Sequence, residues 1–160
     1  MNLQRHACLT LLLLAFLVLT PSAGAHCQIP CGIFDDEARF VEMLEHVTTI
    51  EKAMKHVVKI GGSESPDWNQ LVRWVNNKDE HADQLSEIVT YYFLAQRIKT
   101  PSAAEGAAVP EAARAKYVRE LSLLHRILVH AMKAKQSTDL EHVSALRALI
   151  EEFRKSYAGK

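Results

Sequence analysis

From residue 35 onward, apolar residues recur at steps of three and four, the period of a helix with one buried face. Phe40, Val41, Leu44, Val47, Ile50, Met54, Val57 and Val58 form the first such stripe. Asp35 or Asp36 stands where an N-cap belongs, and Gly61-Gly62 ends the run. Ser65-Pro66 has the arrangement of a second start, with serine as cap and proline in the first turn. Trp68, Leu71, Val72, Val75, Ala82, Leu85, Val89, Tyr92 and Phe93 continue one stripe to about Lys99, and Asn76-Asn77 weakens its middle without shifting its phase. Residues 100–109 are mostly Pro, Ser, Ala and Gly and read as a loop. Pro110 opens a third helix carrying Tyr117, Leu121, Leu124, Leu128 and Ala131. Thr138 and Glu141 have capping-box spacing for a fourth, with Val143, Leu146, Ile150 and Phe153 on its inner face. No segment alternates with period two. Four helices with short connections predict an all-α, antiparallel up-and-down four-helix bundle over residues 35–160.

The first 25 residues follow another rule. Arg5 and His6 give a short positive start, Ala7 to Leu19 is apolar apart from Thr10, and Ala23-Gly24-Ala25 fits a small-x-small cleavage site. A membrane span needs about 20 apolar residues, more than this run supplies. The segment reads as a cleaved secretory signal peptide, 1–25, with signal peptidase as the maturation partner. The mature chain, 26–160, is then exported, either periplasmic or secreted, with no membrane attachment after processing. It keeps 18 Lys and Arg against 19 Asp and Glu, because Arg5 alone is lost. With no basic excess, no arginine-rich stripe and no basic-aromatic interleaving, nucleic acid is excluded as a natural partner.

Cleavage after Ala25 has a chemical consequence. It makes His26 a free N-terminus, with Cys27 beside it and Cys31 four residues further on. Cys8 leaves with the leader, so these two are the mature chain's cysteines. In an exported protein two cysteines ordinarily read as one disulfide. The adjoining terminal histidine favours a metal instead. The terminal amine and the Cys27 amide nitrogen can close a five-membered chelate ring, the Cys27 thiolate closes the next, and the Cys31 thiolate completes a planar N2S2 set. That geometry suits nickel(II) or copper(II), whereas zinc prefers a tetrahedron. The His26 imidazole can approach along the axis. Pro30 restricts the turn that returns Cys31, and Gly32 lets the chain reverse before the first helix. The remaining histidines have neither the spacing of a shared helix face nor a known zinc or di-metal motif, and read as structural or surface residues. Met43 and Met54 read as core filler.

The hook His26-Cys27-Gln28-Ile29-Pro30-Cys31-Gly32-Ile33-Phe34 resembles the start of the nickel superoxide dismutase family, whose mature chains begin HCxxPCGxY. The resemblance implies a domain over 26–160, made of a nickel hook (26–34) and a helical bundle (35–160), with one nickel ion per subunit. It implies a homohexamer that converts superoxide to hydrogen peroxide and dioxygen through nickel(II)/nickel(III) cycling. Carried over residue by residue, His26 supplies the amine and axial imidazole, Cys27 the amide nitrogen and a thiolate, and Cys31 the second thiolate. Glu42 falls where the family has a glutamate orienting that imidazole. The arginine accompanying that glutamate falls, by ungapped counting, on Asn77. The family's hook tyrosine is Phe34 here, and Tyr92 in Thr90-Tyr91-Tyr92-Phe93 matches the second tyrosine region, a hydroxyl for ordered water or a small anion. Two other functions use the same residues. One is an exported non-enzymatic helical protein holding nickel or copper as a chaperone site. The other is a helical interaction module with a Cys27–Cys31 disulfide.

Overall fold

Asp36 and Glu37 in a first turn and Lys59 in the last complement the dipole of a helix from Asp36 to Gly61, here α1. In the middle of α1 the β-branched pair Thr48-Thr49 turns its hydroxyls back to the carbonyls of Leu44 and Glu45, at 2.9 and 3.1 Å. A second helix, α2, spans Trp68–Glu87 and runs on into a π-helical stretch, Ile88–Arg97; α3 is Glu111–Gln136 and α4 is Leu140–Ala158. The computed structural model describes residues 36–103 and 106–159. The predicted hook and leader lie outside them.

The contacts fix an antiparallel ring. Along α1 the partners descend through α2: Phe40 meets Phe93, His46 meets His81 and His56 stacks on Trp74. On the other side of α1, Glu37 pairs with Arg154 and Thr48 with Arg147 of α4. Arg119–Glu152 and His130–His142 bind α3 to α4 in the same antiparallel sense. Lys78 of α2, only 3% exposed, donates its ammonium to the Ala134 and Lys135 carbonyls of α3 at 2.7 and 2.5 Å. It satisfies orphan acceptors of that helix end in a place where burying an unpaired ammonium would cost dearly. This is the expected up-and-down four-helix bundle.

The predicted stripes are partly rotated. Phe40, Val47, Ile50 and Met54 are buried with Met43, as is the whole predicted face of α4, joined by Leu149. In α3 the core face is Leu123, Leu124, Ile127, Ala131 and Ala134, while Tyr117, Leu121 and Leu128 sit at its margin. In the first turns of α2 the prediction fails at two positions: Trp68 is 67% and Val72 54% exposed, while Leu71 and Val75 are half-buried and the first apolar core residue of that helix is Ala82. Two caps also differ. The N-cap of α2 is Asp67, whose carboxylate accepts from the Gln70 amide at 3.1 Å, not Ser65. The N-cap of α4 is Asp139, accepting from the Glu141 amide at 2.9 Å, not Thr138. In both cases a carboxylate next to the helix takes the role from a hydroxyl further out.

Candidate functional site

One pole of the bundle gathers the start of α1, the π-helical stretch, the start of α3 and the end of α4. Its floor is aromatic. Phe40, Phe93 and Phe153 pack with ring centroids 5.0, 5.6 and 4.9 Å apart, and Tyr157 closes the cluster against all three. Such pairs add about 0.5–1.5 kcal/mol each beyond their burial and hold whatever stands on them.

On that floor stands Asp36, the first residue of α1. Its carboxylate accepts from the Tyr92 hydroxyl through Oδ1, and from Arg97 Nη2 at 2.5 Å and the Tyr157 hydroxyl at 2.8 Å through Oδ2. Arg97 Nε also donates to Tyr157 Oη at 3.2 Å. The π-helical stretch explains how Tyr92 and Arg97 share one target. Residues five apart are neighbours where backbone bonds run i to i+5, but lie about 140° apart on an α-helix. The Ile98 amide makes such a bond to Phe93 O at 2.9 Å. Burial pushes the Asp36 carboxyl up, but hydrogen bonds from Arg97, Tyr92 and Tyr157 outweigh it and hold the group below its ordinary 3.8. Burial and the Asp36 carboxylate push the Tyr92 phenol up to about 12. Tyr92 therefore stays protonated, 3% exposed, with its proton directed at Asp36.

Arg39 extends the polar set one turn along α1. Its guanidinium lies over the Tyr92 ring, 5.4 Å from the centroid, with Arg97 at 5.8 Å. It also pairs with Glu42, whose side chain is 41% exposed. Glu42 thus does have an arginine, but from its own helix at i−3. Asn77, where counting placed that partner, sits on α2 with its Oδ1 buried and without a hydrogen-bond partner. Sequence reasoning looked for the cation on the neighbouring helix and missed Arg39, although the i, i+3 spacing to Glu42 was available. It also missed Asp36, Arg97 and Tyr157, which converge only through the tertiary fold. The histidines pair between helices, His46 with His81 and His130 with His142, which spacing within one helix does not disclose.

Of the sequence-predicted site residues, Tyr92 and Glu42 are among those the structure describes. Both lie at this pole, joined through Arg39 rather than touching. His26, Cys27, Pro30, Cys31, Gly32 and Phe34 fall outside the described residues. Among the described residues, no group of three or more His, Cys, Asp or Glu side chains is placed to hold a metal, and no helix is long and apolar enough to cross a membrane.

No curated protein and no solved structure matches the chain. The description of one protein family does, "nickel-containing superoxide dismutase", over residues 21–160. That match takes in the hook and all four helices, so the chain belongs to the nickel-containing superoxide dismutase family and is an oxidoreductase that uses nickel and acts on superoxide.

Proposed function

We propose that the chain dismutates superoxide at an N-terminal hook in which the His26 amine and imidazole, the Cys27 amide nitrogen and thiolate, and the Cys31 thiolate hold the nickel. Two thiolates and an amidate are strong donors, and the nickel they hold supplies one-electron chemistry between nickel(II) and nickel(III). The observation carrying this reading is the donor set itself, His-Cys-x-x-Pro-Cys-Gly, inside a family match that covers most of the chain. The bundle offers no competing set among its described residues.

The pole supports the hook. Cys31 is five residues from Asp36, so the covalent chain keeps it within about 18 Å of that residue. Asp36, clamped by Tyr92, Arg97 and Tyr157, fixes the point where the hook leaves the bundle. Glu42 is six residues further on, about 9 Å along the axis, with Arg39 holding its carboxylate. In this reading Glu42 orients the His26 imidazole and Arg39 takes the place of an arginine from the next helix. Tyr92 anchors the pole through Asp36, and with its proton engaged there the phenol oxygen is left to accept a hydrogen bond from water rather than to donate one to a small anion.

Export and assembly complete the proposal. The apolar run Ala7 to Leu19 precedes the family match, in keeping with a leader removed at Ala25–His26. A homohexamer follows from the resemblance, and sedimentation of the processed protein tests it. The test of function is the intact mass and nickel content of the processed protein, followed by a superoxide assay. Stoichiometric nickel with dismutation is the expected result. A disulfide-linked hook, two mass units lighter and inactive, would leave the interaction-module reading. Nickel bound without turnover would leave the chaperone reading.

A further inference from the structure

The seam between α1 and α2 holds a direct imidazole–imidazole contact. His46 Nδ1 and His81 Nδ1 lie 2.8 Å apart, with ring centroids 5.1 Å apart and both side chains partly buried. Two ring nitrogens at that distance make a hydrogen bond only when one carries a proton and the other offers a lone pair. The contact therefore needs at least one neutral ring. When both rings are cationic, two N–H groups and two like charges face each other.

We propose that the His46–His81 couple is a pH-operated clasp between α1 and α2, closed while at least one ring is neutral and driven open when both are protonated.

The surroundings favour the closed state at neutral pH. Burial, and then the charge of His81 across the seam, hold the His46 imidazole below its ordinary 6.5, against the pull of Glu42 and Glu45 on its own helix. The other packed helices have their nearby cations engaged elsewhere. On the far side of α1, α4 directs Arg147 to Glu51 and Arg154 to Glu37, and beside His81, α3 directs Lys135 to Asp83. A second interhelical pair, His130 and His142, is a built-in contrast. Its ring centroids are 5.4 Å apart, but both Nδ1 atoms are buried without a hydrogen-bond partner, so no proton is shared.

The clasp matters beyond its own residues. The antiparallel pairing of α1 with α2 is what sets Asp36 against Tyr92 and Arg97, so releasing the seam loosens the pole. The sign follows from proton linkage. A histidine whose folded pKa lies below its unfolded value binds more protons in the unfolded chain. Its effect on stability is absent above about pH 6.5 and grows as pH falls below it, until the folded form is protonated too.

The test uses the full mature chain carrying Cys27→Ser and Cys31→Ser, so that metal binding adds no pH dependence. Between pH 7.5 and 5 the melting temperature should begin to fall below about pH 6.5 on account of the couple, by at most about 3–5 °C per pH unit, the limit for one proton. Adding His46→Gln and His81→Gln should flatten that slope. An equal slope in the two proteins would overturn the proposal. A second measurement needs no histidine substitution: a long-range proton–nitrogen NMR spectrum at pH 7.5. One of the two rings should carry its proton on Nδ1 and the other on Nε2. Both rings protonated on Nε2 would overturn the clasp just as firmly.

Discussion

At the scale of single residues, the weight rests on Asp36, the first residue of α1. Three donors converge on its carboxylate, and replacing it leaves Arg97 and two phenols short of an acceptor. Asp36→Asn should cost about 1–3 kcal/mol in denaturant unfolding, the usual penalty for stranding buried donors. The same change should bring the Tyr92 phenol down from about 12, visible in an ultraviolet phenolate titration. A Tyr92 that still ionised near 12 in the variant would show that burial alone sets it. The Asp36 carboxyl is held below 3.8, so its stabilisation is complete above the ordinary carboxylate range and disappears as pH falls through the lower folded value. Acid unfolding near pH 3 should therefore be less steep in Asp36→Asn than in the parent. In the proposed function Glu42 acts one step further from the metal, through the His26 imidazole. Glu42→Gln should lower turnover roughly ten- to hundredfold at unchanged nickel content, and Arg39→Gln should give a similar loss if that guanidinium holds Glu42 in place. A full rate in both variants would separate this ion pair from the reaction.

At the scale of elements, the sequence carried the helices better than their orientation or ends. The α4 stripe Val143, Leu146, Ile150 and Phe153 was legible because a strict three-four period with a clean polar face has one way to pack. The α3 stripe was read about one residue out of phase, since Leu121, Leu123, Leu124, Ile127 and Leu128 form a broad apolar band with no sharp edge. Trp68 and Val72 share the stripe's period, yet α2 adds no residue to the buried apolar core before Ala82. Period alone cannot say where along a helix its stripe becomes buried. The π-helical stretch left no trace in periodicity, yet it brings Tyr92 and Arg97 together on Asp36. Lys78 shows the same limit: a lysine within an apolar stripe reads as surface, but this one is buried because the end of α3 supplies two carbonyls. Lys78→Met keeps the stem and removes the donor. It should destabilise the bundle by about 1–3 kcal/mol while leaving nickel stoichiometry intact. Loss of nickel with unchanged stability would assign Lys78 to the site instead.

At the scale of the whole molecule, the proposed function assigns the metal to residues 26–34 and the shaping of the pole to the helices. Among the described residues, the helices bury Phe40, Phe93 and Phe153 in one continuous core. The donor set proposed for the hook is read from the sequence alone, because ligand identity and spacing are local, whereas Asp36, Arg97 and Tyr157 had to be brought together by the fold. Cys27→Ser or Cys31→Ser should thus abolish nickel binding and leave far-ultraviolet helicity unchanged. Loss of helicity together with the metal would mark the cysteines as a structural disulfide. Whether the free amine of His26 holds the nickel is decided by one comparison. The protein beginning at His26 and a variant with one alanine inserted between Ala25 and His26 are verified by intact mass, then measured for nickel content and superoxide dismutation. Equal folding is expected, with activity confined to the chain that begins at His26, because the extra residue turns the amine donor into an amide. Normal dismutation by the protein that carries the added alanine would contradict amine ligation.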